Sequence, residues 1–312
     1  MRLIPLLLLA TPAFAEPPRL ALPLACEIGT DCYIEDYVDN DPNPGRQRDF
    51  ACGINSRDAH KGTDFALLSF DALGTPVLAS APGTVLRTRD AMPDDRLMRG
   101  VTDAKACGNA VLIDHGEGWQ TLYCHLKLGS VSVQPGQQVE TGTPLGQVGL
   151  SGQTNHPHVH LSVLHDGQTI DPFRPTATGT CGEPSDTLWQ SPPPYTKTGL
   201  VTAGFADHVP TLDDVRDGSA RLDAGETSQP LVVYAHAGYA EHGDLLELRA
   251  EGPGGELFDH SIVLKAPQVS TMRAYGRKAP PEGWPPGEYL GEATLTRKGK
   301  IIAHRFAHVT IP

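Results

Sequence analysis

The sequence predicts a mainly β protein: a small antiparallel β sandwich or barrel-like domain followed by an immunoglobulin-like β-sandwich. Three observations carry this. Gly (33) and Pro (28) together make about a fifth of the 312 residues, which is turn-rich without reaching the composition of a disordered chain. Short aliphatic runs bounded by Gly and Pro recur throughout, and no long stretch sustains a 3.6-residue apolar period, so helices should be few and short. All six cysteines precede residue 182, and a proline-rich stretch follows the last of them, which divides the chain.

The elements follow in chain order. Arg2, the apolar run Leu3 to Ala10 and Ala13-Phe14-Ala15 read as a secretory signal peptide over 1–15, with an exported mature chain from Glu16. Removing Arg2 takes the formal charge from −12 to −13. That acidic balance argues against nucleic acid, and no apolar run reaches the ~18 residues of a membrane span. Glu16, not Cys, directly follows Ala15, so a lipoprotein is not expected, and the signal is too short for a membrane anchor. Residues 16–50 form a lead-in whose stretch Glu35 to Asp49 is acidic and Pro-rich. Asp39, Asp41 and Asn43 faintly resemble a calcium loop, but Pro44 stands where Gly is needed and Phe50 where the closing Glu belongs, so a turn-rich segment is the better reading.

Residues 51–185 carry the first domain. Val77-Leu78-Ala79, Thr84-Val85-Leu86, Val111-Leu112-Ile113 and Trp119 to His125 read as strands, the last two joined by the turn Gly116-Glu117-Gly118. The run from Val133 to Gly149 spaces single aliphatic residues by glycines, which resembles a biotinyl- or lipoyl-type hairpin. A carrier domain needs a modifiable Lys at a hairpin tip, and none occurs between Lys127 and Lys197. The connection between Val85 and Val111 is long and charged, and long loops of this kind are often functional; it is expected to wall a substrate groove. In an oxidising compartment, Cys26, Cys32, Cys52, Cys107, Cys124 and Cys181 should form three disulfides out of 15 connectivities. Cys107 and Cys124 face each other across the hairpin; Cys26–Cys32 and Cys52–Cys181 are the expected remainder, which the sequence leaves open.

Residues 186–198, with Ser191-Pro192-Pro193-Pro194, read as a linker. Residues 199–312 then offer strand runs at regular spacing, as in an immunoglobulin-like sandwich. The histidines there are scattered, as surface or satisfied core groups are. A protein partner for this module is an expectation from architecture alone.

Chemistry concentrates in the first domain. His60-Lys61-Gly62-Thr63-Asp64 sets an imidazole and a carboxylate four residues apart in a turn entering a strand; alone this is a weak signal. In His158-Val159-His160, residues i and i+2 of a strand put both rings on one face, with Val159 and Leu161 toward the core. His125 ends the hairpin strand, where alternation puts it on the face of Tyr123 and Cys124 on the other. His156 reads as groove lining or surface, His115 as structural and His165 as solvated. Two His and one Asp leave a zinc site at net +1 with one position open, and two further imidazoles nearby can move protons or hold an oxyanion.

Taken together, HKGTD, GNAVLIDHGEGWQTLYCHL, the glycine-spaced run and SGQTNHPHVHLSV closely resemble the LytM/lysostaphin-type zinc endopeptidases of peptidase family M23, over about residues 58–173. The resemblance implies one zinc per chain held by His60, Asp64 and His160, with His125 and His158 as catalytic histidines. It implies a small antiparallel fold with a groove crossing the metal, and peptidoglycan stem peptides or cross-links as substrate. Some members lack ligands and only activate other wall hydrolases; no position of the set is missing here, so an active periplasmic enzyme is expected. The alternatives are a non-catalytic metal-binding adaptor for an amidase and a wall- or glycan-binding module without chemistry. A signal without a surface anchor favours a D,D-endopeptidase over a glycyl-glycine one. The lead-in, residues 16–50, could cover the groove as a propeptide.

Overall fold

A computed structural model describes residues 16–312; the expected signal peptide lies outside the described residues. The chain is nearly all antiparallel β. The first part comprises β1 (Cys32–Asp36), β2 (Thr63–Leu67), β3 (Pro76–Leu78), β4 (Gly83–Arg89), β5 (Asn109–Gly116), β6 (Trp119–Leu126), β7 (Gln138–Val139), β8 (Pro144–Gln147), β9 (His158–His165) and β10 (Gln168–Ile170). Eight of these form one sheet in the order β1-β2-β9-β6-β5-β4-β7, with β10 also on β9, while β3 and β8 pair separately.

Alternation explains the packing. Val159, Leu161 and Val163 of β9 join Phe65, Val111, Ile113 and Tyr123 in one buried apolar cluster, to which Val77 and Leu145 of the smaller sheet contribute. Residues at the alternate positions of β9, His158 and His160, are thereby committed to the other face. The β5–β6 hairpin closes through Gly116-Glu117-Gly118, whose three residues all have positive φ.

The later part comprises β11 (Gly199–Ala206), a six-residue helix α1 (Leu212–Asp217), β12 (Leu231–Ala240), β13 (Leu245–Gly252), β14 (Gly255–Val263), β15 (Gln268–Arg277), β16 (Gly287–Arg297) and β17 (Lys300–Ile311). The helix starts on a reciprocal Thr211–Asp214 capping box and ends at Gly218 in the left-handed conformation. Sheets β11-β12-β15 and β14-β13-β16-β17 contribute to a second apolar cluster that includes Phe205, Val233, Leu248, Tyr289 and Leu295. Three strands against four, in this order, is a variant of the immunoglobulin plan in which the fourth strand pairs with the third instead of the fifth.

The proline-rich stretch is not bare chain: Leu188 and Trp189 are buried in the first cluster, and Leu20 N–H donates to Leu188 O at 2.8 Å. Cysteines pair as Cys26–Cys32, Cys52–Cys181 and Cys107–Cys124, and none of those described is free. The lead-in is an integral edge of the larger sheet. Its Asp39 carboxylate accepts Asp41 N–H and Arg48 N–H, each at 3.0 Å, and Ala59 N–H at 2.9 Å, so its lone pairs go to backbone turns.

Candidate metal centre

Strand register assembles the centre. Asp64 of β2 pairs directly with His160 of β9, and Ala66 with His158, so all four share one face of the sheet. His60 stands in the turn just before β2. Its Nε2 lies 3.1 Å from His160 Nδ1 and 3.1 Å from Asp64 Oδ2, and His160 Nδ1 lies 2.7 Å from Asp64 Oδ1. Gly62 makes this approach feasible: a Cβ there would come within 2.6 Å of the His160 ring and of Leu161 O.

His60 Nδ1–H donates to Tyr37 O at 2.8 Å, which leaves its Nε2 bare. His160 Nε2 lies 2.9 Å from Ser162 Oγ, and with Nε2–H donating to that hydroxyl His160 Nδ1 is bare as well, both lone pairs facing a carboxylate. Three acceptors so close repel one another unless a proton or a cation stands among them. In a tetrahedron with bonds of about 2.0–2.1 Å, ligand atoms lie about 3.3 Å apart; the two nitrogens are 3.1 Å apart and each is close to one oxygen of Asp64, so the donor set fits zinc with a slight adjustment.

The charges respond accordingly. Burial would raise the Asp64 carboxyl, but His60 and Arg57, with His158 and His160, hold it well below the usual carboxylate range. Burial would lower His60, yet Asp64 raises it above an ordinary histidine, so a proton can occupy the place of a cation. His160 goes the other way: its burial outweighs Asp64 and lowers it. Arg57 Nη2 donates to Asp64 Oδ2 at 2.5 Å and its Nη1 lies 3.2 Å from Asp36 Oδ2, tying the oxygen that faces His60 and leaving Oδ1 toward His160.

His125 and His158 stand beside this triangle. His158 Nδ1–H donates to His156 O at 3.1 Å, leaving Nε2 buried, without a partner, 3.7 Å from Asp64 Oδ2. Burial pushes this imidazole down to about 4. His125 Nδ1–H donates to Ser151 O at 2.9 Å, and its ring centroid lies 4.7 Å from that of His158 and 6.1 Å from that of His160. All five residues expected from the sequence therefore meet at one place.

Two local expectations need correcting. Alternation put His125 on the face of Tyr123, but Tyr123 lies in the apolar cluster with its hydroxyl accepting Ser80 N–H at 2.7 Å. Asn109 pairs with Leu126 and Val111 with Tyr123, so Cys124 and His125 together oppose the single Ala110 in a β-bulge. His125 sits there at φ 64°, in the left-handed region rarely taken by a non-glycine residue, and the bulge turns it toward the other histidines. For the same reason Cys124, which pairs with His160, lies on the centre's side of the sheet instead of opposite His125. His156, expected as groove lining or surface, is buried: its Nε2 bonds to Glu35 Oε2 and its ring stacks on His158 at 4.7 Å. His115 is structural, bonding Pro82 O and Thr121 Oγ1, and half-exposed His165 stacks on Trp119.

The long loop braces this region. Asp94 accepts Leu128 N–H at 3.0 Å and Leu150 N–H at 2.7 Å, beside the Ser151 carbonyl that holds His125. The contributions of Tyr37, Ser162, Arg57 and Glu35 were not read from sequence. Only the strand spacing of Ser162, two residues beyond His160, offered a signal for any of them.

Residues 58–172 match the family described as Peptidase family M23. This segment is an M23 peptidase domain. The chain is similar to the cell division protein DipM of Caulobacter vibrioides, 35% identical over 102 residues, which is 33% of this chain and 14% of that protein. It is also similar to the peptidoglycan DD-endopeptidase ShyA of Vibrio cholerae, 32% identical over 115 residues, 37% of this chain and 22% of that protein. The chain thus spans less than a quarter of either relative. A solved zinc-containing peptidase from Vibrio cholerae is 25% identical over 44% of this chain and 39% of its own, at a TM-score of 0.29.

Proposed function

We propose that this chain is an exported, periplasmic zinc endopeptidase that hydrolyses peptide bonds in peptidoglycan stem peptides or cross-links. The observation that carries this is the convergence of four imidazoles and one carboxylate. Each ring meets an outside carbonyl or hydroxyl with one nitrogen, the other nitrogens of His60, His158 and His160 gather beside Asp64, and His125 stands against His158. The name of ShyA, a peptidoglycan DD-endopeptidase, supports the substrate class. Three disulfides support an oxidising compartment. Among the described residues, no helix is long and apolar enough to cross a membrane.

His60, Asp64 and His160 would hold the zinc. When bound, zinc polarises a peptide carbonyl and acidifies water. The chain's own residues do the rest. Arg57 keeps one Asp64 oxygen engaged, so the carboxylate presents the other in a fixed orientation. His158 and His125 stay neutral through burial, so their free nitrogens can take a proton during attack and return it to the leaving amine. They can equally donate to the oxyanion once protonated.

Digestion of purified sacculi tests this. The parental chain should release fragments with new amino termini. His158→Ala should keep one zinc and lose at least about 100-fold in rate, whereas His160→Ala should lose zinc and rate together. Parental rates in both variants would refute the roles, and zinc retention without cleavage by the parent would leave the adaptor reading. Defined cross-linked muropeptides then identify the bond, with the D,D cross-link expected.

A further inference from the structure

Two residues outside the M23 segment, 270 positions apart, meet behind its histidines. Arg305 of β17 spends all three of its nitrogens in one place: Nε–H on Leu200 O at 2.9 Å, Nη1 on Glu35 Oε1, and Nη2 on Asp36 Oδ1 at 3.0 Å. Tyr33 Oη donates to His304 O at 2.5 Å beside it, so β17 is locked to β1. The other Glu35 oxygen takes His156 Nε2–H. His156 in turn stacks on His158, with ring planes 22° apart, and its carbonyl accepts His158 Nδ1–H. Phe306 closes the outer side of His156, with ring centroids 6.1 Å apart.

We propose that Glu35 and Arg305 are positioning residues of the M23 centre: they fix His156, and His156 fixes the ring and tautomer of His158. The inference rests on the reading of His158 as catalytic. Its physical basis is the carbonyl that keeps His158 Nδ1 protonated and Nε2 bare, together with a stacked ring that is itself pinned by Glu35 and so stops His158 from turning. The carbonyl belongs to the HPHVH motif, with Thr154 Oγ1 also 3.1 Å from His158 Nδ1, but the anchor of the stacked ring does not: Pro157 leaves His156 outside β9, and its Nε2 is held by Glu35. Glu35 needs Arg305, since a buried carboxylate facing one imidazole is otherwise short of a counter-charge. The last strand of the C-terminal sandwich is then part of the catalytic apparatus, and the M23 segment alone is incomplete.

The test uses the full chain loaded with zinc and digesting sacculi. Glu35→Gln with Arg305→Met removes both charges at once, so neither is left buried alone, and His156→Phe leaves an aromatic ring in place but removes the bond to Glu35 that pins it. Each variant should bind one zinc at parental affinity and keep KM within about threefold, while kcat falls at least about tenfold. The triple variant should be no slower than His156→Phe, because all three residues act through one ring. A double variant with parental kcat, a loss that lies in zinc affinity, or losses that multiply in the triple variant would overturn the proposal. ¹⁵N NMR of histidine-labelled parental chain gives a second reading if the double variant does not fold. A protonated Nε2 on His156 and a protonated Nδ1 on His158 are expected, and the opposite tautomers would overturn it. If the parental chain leaves sacculi uncut, the peptidase reading fails, and the tautomers still decide whether this relay exists.

Discussion

An imidazole can offer a metal only one of its two nitrogens, and the other must be satisfied elsewhere for the ring to be held. His60, His125, His158 and His160 each meet that demand with a carbonyl or hydroxyl: Tyr37, Ser151, His156 and Ser162. His304, just behind the centre, solves a different problem. Its Nδ1 pairs with Thr294 Oγ1 at 2.8 Å, its Nε2 is buried without a partner, and burial pushes it down to about 4. The folded state therefore binds this proton less readily than the unfolded chain, whose imidazole titrates near 6.5. Stability linked to His304 is fully present above that value and is lost as pH falls toward 4. Between pH 7.5 and 5 the loss is about 2 kcal/mol. Denaturant unfolding of His304→Leu should show a pH dependence flatter by about that amount; an unchanged slope would mean that His304 is not buried neutral.

At the scale of elements, the centre is a product of register and one bulge. Asp64 opposite His160 follows from the pairing of β2 with β9, and the approach of the His60 turn depends on Gly62 lacking a side chain. Gly62→Ala should therefore lower zinc affinity at least about tenfold with the fold retained, as isothermal titration of the metal-free chain would show. Parental affinity would place the His160 ring elsewhere. The strand character of HVHLSV was legible because apolar alternation is a local property, and so was the shared face of His158 and His160. The direction of His125 was not, because a bulge is defined only by the partner strand: Cys124-His125 reads as ordinary alternation until Ala110 is set opposite both. Glu35 and Arg57 were illegible for a similar reason, since their partners are remote in sequence or lie across a strand pairing that no short motif reports.

At the scale of the whole molecule, two apolar clusters are joined by polar contacts that are themselves buried. Arg305 bridges to Glu35 and Asp36, Tyr33 to the His304 carbonyl, and Phe70 meets Phe306 edge-on at 5.0 Å. The surface pair of Arg96 with Glu288 adds little by comparison. Separating the two parts would leave Glu35 without its arginine, while Asp36 keeps Arg57, a cost of several kcal/mol. Calorimetry of the full chain should accordingly give one unfolding transition, and two resolved transitions would show the parts to be independent. The cysteines and prolines led the sequence to expect two parts, and the strands do fall into separate sheets; the ion pairs of Arg305 with Glu35 and Asp36 were not legible, because their partners are some 270 residues apart.

The claim on which the function depends is that His60, Asp64 and His160 share one zinc ion. Anomalous diffraction at the zinc edge from crystals of the zinc-loaded chain tests it most directly. The account predicts one strong peak about 2.0–2.2 Å from His60 Nε2, His160 Nδ1 and an Asp64 oxygen, with a fourth position open toward His125 and His158. A chain that takes up zinc with no peak among these three atoms would contradict it.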